Sequence, residues 1–194
     1  MPGNMTGLTL MAPELTAKRF ELLREMIPEV RRVAIVFYPE HPGQDIERAY
    51  SEKTAQRLGI ALTYFATSTS DDLHRALAAM AADPPQAISL FADGFAMQNR
   101  DRIFDFTMNR RIPVISGWPI FAESGALCTY GPDLVVSYRR LAYYVDRVLK
   151  GAKPAELPIE QPTKFQLLVN LKSARTLGLT IPETILVRAD QVIE

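Results

Sequence analysis

Among its 194 residues the chain has one cysteine, Cys128, and two histidines, His41 and His74. One cysteine excludes an internal disulfide, and with so few histidines the spacing of a metal-ligand set is absent. Cys128 falls inside an apolar run and reads first as a small buried hydrophobe. Charge of one sign is also missing: Lys plus Arg and Asp plus Glu each number 22. That balance argues against a nucleic-acid footprint, which needs a basic excess or a basic face. No apolar run reaches the ~18 residues of a spanning helix. The start, MPGNMTGLTLMAPELTAKRF, lacks the basic, apolar and small-residue order of a secretory signal. Taken alone, that suggests a cytoplasmic product or a chain without its natural start. There is no G-x-G-x-x-G opening a helix after the first strand and no P-loop, so no cofactor is expected.

What is present is ordinary for a globular domain: 47% apolar and 23% charged residues, with enough length for one core. The run VAIVFY at 33–38 is β-branched and aromatic and ends at Pro39, which indicates a buried strand. A helix follows over 43–58, its expected inner stripe being Ile46, Ala49, Tyr50 and Leu58, with Gly59 closing it. Residues 60–66 form the next strand. The helix over 70–82 repeats Leu73, Leu77 and Met80 at helical spacing, with a cap region near Ser70. A third strand covers 87–91 and a helix 96–110, with Ile103, Phe104, Phe106 and Met108 as its apolar members. Strands four and five are expected at 113–116 and 126–129. Asp133 then caps a long helix that ends at Lys150 and Gly151. Beyond the prolines at 154, 158 and 162, a sixth strand at 165–169 leads to a short helix at 171–177 closed by Gly178. The last residues, TIPETILVRADQVIE, fit a helical turn and a final strand or edge contact.

Short strands that are apolar throughout, alternating with helices, predict a three-layer α/β/α fold around a parallel sheet of order 2-1-3-4-5. Ligands bind such sheets beyond the carboxyl ends of the strands, where the order reverses. The loops there carry Tyr38 and Pro39, Asp93, Gly117 and Trp118, and Tyr130. Two of these strands end in a glycine beside a large aromatic. Glycine lets a ligand or a facing domain approach the backbone, and an aromatic offers flat apolar contact. Trp118 and Tyr130 could equally serve to cover the sheet end and fill the core, and Asp93 could merely cap the next helix. Glu40, His41, Asp93 and Cys128 also raise the thought of catalysis. A thiol placed mid-strand makes a poor nucleophile, however, and a phosphorelay receiver would want further acids after the first strand and a lysine where Gly117 and Trp118 stand. Catalysis is therefore the weaker expectation and binding at the strand ends the stronger, with a cytoplasmic flavodoxin-like enzyme or receiver-like domain as one alternative. A truncated dimeric interaction module without a transport role is the other.

The segment GNMTGLTL with the helix ELTAKRFELLREMIPEVRRVAIVFYP, the block from Tyr130 to Pro182 and the ending LVRADQVIE resemble bacterial ABC-transporter substrate-binding proteins of the periplasmic-binding type I class. The nearest subgroup is the one associated with tryptophan and related aromatic amino acids. The resemblance implies a solute-binding component of an uptake system, acting with an ABC permease outside the inner membrane. Its ligand would be a small organic solute such as an amino acid or an aromatic or carboxylate compound. It implies ligand contacts at Tyr38, Pro39, Asp93, Gly117, Trp118 and Tyr130. Relatives that bind amino acids often carry a Ser-Glu-type pair where this chain has Gly117 and Trp118, which suggests stacking on a flat group rather than capture of an amine. It also implies that 1–194 is a single C-terminal lobe, with 1–12 and 130–164 as hinge-crossing segments and helix 133–150 packing on an absent N-terminal lobe. The stripe Leu134, Tyr138, Leu141, Val145, Val148 and Leu149 then needs a partner, and a homodimer through this helix is expected.

Overall fold

The computed structural model describes residues 4–194. The chain opens with the two-residue strand β1 (Gly7–Leu8) and helix α1 (Ala12–Met26), then alternates β2 (Arg32–Phe37), α2 (Gln44–Leu58), β3 (Ala61–Ala66), α3 (Ser70–Ala82) and β4 (Ala87–Leu90). Two short helices follow, α4 (Gly94–Gln98) and α5 (Arg100–Asn109), where the sequence predicts one. Then come β5 (Val114–Ser116), α6 (Pro119–Ser124), β6 (Cys128–Pro132) and α7 (Leu134–Leu149). A 3-10 turn at 154–156 leads to β7 (Ile159–Glu160), β8 (Phe165–Asn170), α8 (Leu171–Leu177), α9 (Glu183–Leu186) and β9 (Gln191–Ile193).

Seven strands form the main sheet, in the order β3-β2-β4-β5-β6-β8-β9. Its first five members carry the predicted 2-1-3-4-5 order. Every pair is parallel except β6 with β8, where Tyr130 lies opposite Leu167 in an antiparallel ladder. The sheet is thus mostly, not wholly, parallel. Along β2 the side chains alternate by the two-residue period of a strand. Val33, Ile35 and Phe37 join Phe20 and Leu23 of α1 in one core, while Ala34 and Val36 join Leu73 and Met80 of α3, Phe104 of α5 and Phe121 of α6 in the other. This is why the strands read as continuous apolar runs: both faces are covered, and each fully buried side chain of this size stabilises by ~1.5–3 kcal/mol.

Local chemistry sets the ends. Thr69, one residue before the expected cap, closes a capping box with Asp72 at the start of α3. Gly59 and Gly178 end α2 and α8 in the left-handed conformation that the sequence predicts for them. The expected inner stripe of α2 is corrected. Its buried face is Glu47, Ser51, Thr54 and Ala55, whereas Ile46 and Tyr50 point outward.

Outside the main sheet, β1 and β7 pair in parallel, Gly7 opposite Ile159 and Leu8 opposite Glu160. Helix α7 packs beside β1 and is tied to the β7 segment. Tyr144 donates to the Pro158 carbonyl at 2.8 Å, and Arg140 Nε donates to Glu160 Oε2 at 2.7 Å. Tyr144 is the one buried residue of α7. Eight large apolar residues of the helix are exposed, among them Val135, Tyr138, Leu141, Val145, Val148 and Leu149. The stripe does not fold back onto the main sheet.

Candidate functional site

The carboxyl ends of β2, β4, β5 and β6 open on one rim, and the predicted residues lie along it. Asp93 is buried and both its oxygens serve the backbone. Oδ1 accepts the Ala96 N–H at 2.7 Å, capping α4, and Oδ2 accepts the Tyr38 N–H at 3.2 Å, tying the β2 loop to the β4 loop. Burial pushes its carboxyl up, against the pull of these two N–H groups. Asp93 therefore acts first as a brace of the rim. Tyr38 stacks on Phe95, with centroids 6.4 Å apart, and its hydroxyl donates to Glu40 Oε2 at 2.8 Å. Pro39 is half-buried in the turn that follows. Trp118 lies flat on Phe121, centroids 6.0 Å apart and rings nearly coplanar in orientation, at the entry to α6. The Tyr130 ring stacks on Phe165 at 6.2 Å and packs against the α1-side core.

The two glycines face each other, not a ligand. A methyl group on Gly131 would stand 2.0 Å from the Gly117 carbonyl oxygen, and one on Gly117 would stand 2.5 Å from Nη2 of Arg19. The close approach that glycine permits here is between two neighbouring strand ends and a guanidinium.

Arg19 is the residue the sequence reading passes over. It sits on α1 four residues after Leu15 and four before Leu23, both buried, so it lies on the apolar face of the helix. Its Nε donates to the Tyr130 carbonyl at 2.9 Å and its Nη1 to Thr16 Oγ1 at 3.3 Å. Glu47 of α2 stands 3.5 Å from Nη1 and accepts the Thr16 hydroxyl at 3.2 Å. Arg19 and Glu47 are each 3% exposed. Burial drives both toward neutrality, lowering the arginine and raising the glutamate, and each partner opposes that shift in the other. A charged residue at apolar-face spacing on α1 is the signal that would have found Arg19; Glu47 carries no such signal, because the buried face of α2 is mostly polar.

Two cavities meet at Leu10 and Trp118. The smaller, about 290 Å³, is floored by Arg19 and walled by His41, Ala92, Trp118 and Pro132. The larger, about 700 Å³, is a mostly apolar groove between α7 and the rim, with Trp118, Ile120, Leu134, Tyr138 and Leu141 on its walls. Of the six predicted ligand residues, Trp118 lines both cavities, and the other five line neither. They shape the rim from behind: Asp93 and Gly117 sit next to cavity residues, and Tyr130 contributes its carbonyl to Arg19. Cys128 is fully buried and its thiol is pushed up by that burial, so it has no nucleophilic character at the rim. Among the described residues no group of three or more His, Cys, Asp or Glu is placed to hold a metal ion.

The fold is shared with solved proteins. A conserved domain protein from Vibrio cholerae superposes with a TM-score of 0.88 at 26% identity, over 96% of this chain and 62% of its own. An ABC domain from Streptococcus pneumonia, solved in complex with L-Trp, gives 0.86 at 22% identity, over 97% and 64%. A 5-methylthioribose transporter solute binding protein from Thermotoga lettingae gives 0.67 at 18% identity, over 96% and 67%. The chain thus spans less than two thirds of the length of the first two. No curated protein sequence matches the chain. The model of the ABC transporter substrate binding protein family matches residues 1–193. With the mostly parallel sheet, the rim cavity and this match over the whole chain, the protein belongs to the ABC transporter substrate binding protein family.

Proposed function

We propose that this chain is the solute-binding lobe of an ABC uptake system, holding a small organic solute at the carboxyl ends of its strands and carrying out no chemistry on it. The observation that carries the reading is the cavity between Arg19, His41 and Trp118, which lies where the strand order reverses between β2 and β4. Family membership supports the role, and the complexes of two structural relatives with L-Trp and 5-methylthioribose are in keeping with it. In this reading residues 1–12 and 130–164 are hinge-crossing segments, of which residues 1–3 lie outside the described part. A second lobe closes over the solute by rotation about them, and the closed form is offered to a membrane permease on the outer side of the membrane. Tyr38, Pro39, Asp93, Gly117 and Tyr130 form the frame of the pocket, and Trp118 forms its wall.

One lobe provides half of such a clamp, so solutes should bind the isolated chain weakly. The test is backbone-amide shift mapping of the chain against a library of amino acids, aromatic acids and sugars at millimolar concentration. Shifts gathered at Tyr38, Ala92, Gly117 and Trp118 are expected. Shifts scattered elsewhere, or turnover of any compound, would count against the proposal.

A second reading concerns α7. Its uncovered apolar stripe supports a homodimer through this helix, since extended exposed apolar faces mark association sites.

A further inference from the structure

The rim cavity has a particular chemical polarity. Its lining includes the guanidinium of Arg19 and the imidazole of His41 but no carboxylate. The nearby acids are already engaged: both Asp93 oxygens take backbone N–H groups, and Glu47 faces Nη1 of Arg19 and the Thr16 hydroxyl. The one hydroxyl on the wall, Thr9, accepts the Met11 N–H. An ammonium group entering this space would meet positive charge and find no free anionic acceptor.

Arg19 is not fully spent. Nε and Nη1 have partners, but Nη2 makes no hydrogen bond with any described residue. It lies beside the bare Cα of Gly117, whose neighbour Trp118 walls the same cavity. Nη2 is not among the sealed side-chain atoms that lack a partner, so it reaches the cavity that Arg19 lines, and a guanidinium N–H presented to a cavity is a place for an acceptor. Charge-assisted hydrogen bonds to a carboxylate are roughly twice as strong as those to a neutral group. Glu47 balances the guanidinium from the other side, which lets the charge remain buried while the cavity is empty.

Resting on the solute-binding reading above, we infer that the solute carries a carboxylate that binds Nη2 of Arg19 with His41 alongside, its flat or apolar body lying against Trp118. The cavity of about 290 Å³ falls just below the ~300–1,000 Å³ typical of small-molecule sites, which suits a compact monocarboxylate.

Trp118 is the sole tryptophan of the chain, so its emission reports occupancy directly. The experiment titrates the unaltered chain with phenylacetate, phenylacetamide and phenethylamine, which share a ring and differ in the head. Phenylacetate is expected to change the emission saturably and to bind about tenfold tighter than the amide, with the amine weakest. The substitution Arg19→Lys keeps a positive charge against Glu47 but loses the fork, and should narrow the preference for acid over amide. If that variant does not fold, the three-probe comparison on the unaltered chain still decides. Equal binding of acid and amide, tighter binding of the amine, or no response to any probe at millimolar concentration overturns the inference. In those cases alanine and ribose, followed by backbone shifts at the rim, separate the two levels. Their binding there would leave the solute-binding role standing without the carboxylate, and their failure would remove both.

Discussion

The Cα of Gly131 lies against the carbonyl oxygen of Gly117, so that a methyl group added to Gly131 would stand 2.0 Å from that oxygen and 3.0 Å from its carbon. Both atoms are backbone, of β6 and of the bend directly after β5, so neither can turn aside as a side chain would. Gly131→Ala should therefore destabilise the fold by ~1–3 kcal/mol, the usual cost of forcing an extra carbon into packed structure. Gly94→Ala is the control, because nothing lies within 4 Å of its added methyl group. It should stay within ~0.5 kcal/mol of the parent. Denaturant unfolding of the two variants checks the contrast.

This contact also shows which features of the molecule are legible in its sequence. The central strands are, because β2, β4 and β5 are buried on both faces and take almost only apolar residues. The order of the first five strands is, because short crossovers leave few alternatives. The purpose of Gly117 is not, since it depends on Arg19, a residue about a hundred positions away, and that of Gly131 depends in turn on the Gly117 carbonyl. The face of α2 is misread for the same reason. Ile46 and Tyr50 look like the inner stripe, yet the helix turns Glu47, Ser51 and Thr54 inward, and Glu47 meets Arg19 and Thr16 of α1. Helix α6, at six residues, is too short to show a period. The reversed direction of β8 leaves no trace in its composition, as an apolar strand reads alike either way.

Cys128 is sealed between the rim and the α1-side core, and burial raises its thiol well above the ordinary range. A thiolate-seeking reagent should leave the native chain unlabelled at neutral pH and label one equivalent in denaturant. At low denaturant the labelling rate should follow global unfolding. Fast stoichiometric labelling of the folded chain would mean that β6 opens locally.

The Arg140–Glu160 pair is the main charged link between α7 and β7. Hydrogen bonding to Arg140 lowers the Glu160 carboxyl from 4.5 to about 2. A depressed acid contributes stability that is present above its unfolded value and lost as pH falls through its folded one. The amides of α7 and β7 should therefore lose hydrogen-exchange protection, corrected for intrinsic rates, between pH 4.5 and pH 2. The main-sheet amides of β2 and β4 should not follow them over that part of the range. Glu160→Gln should lower the α7 protection at pH 6 and flatten its dependence below. An unchanged profile would mean that Tyr144 and the β1 contact, rather than the ion pair, hold the helix.

Along α7, Tyr138, Val145 and Leu149 are 68%, 52% and 82% exposed, on a helix whose one buried residue is Tyr144. Apolar groups of this size left in water each forgo ~1.5–3 kcal/mol, so a second copy of the helix has a large gain to offer. An isologous pairing of the two stripes satisfies both at once and closes on itself as a dimer. Sedimentation of the chain at high micromolar concentration should therefore show a dimer that dissociates on dilution. The double substitution Val145→Lys with Leu149→Lys should give a monomer, with the unfolding midpoint of the main sheet unchanged at concentrations where the parent is also monomeric. If the parent sediments as a monomer throughout, self-association is not what covers α7.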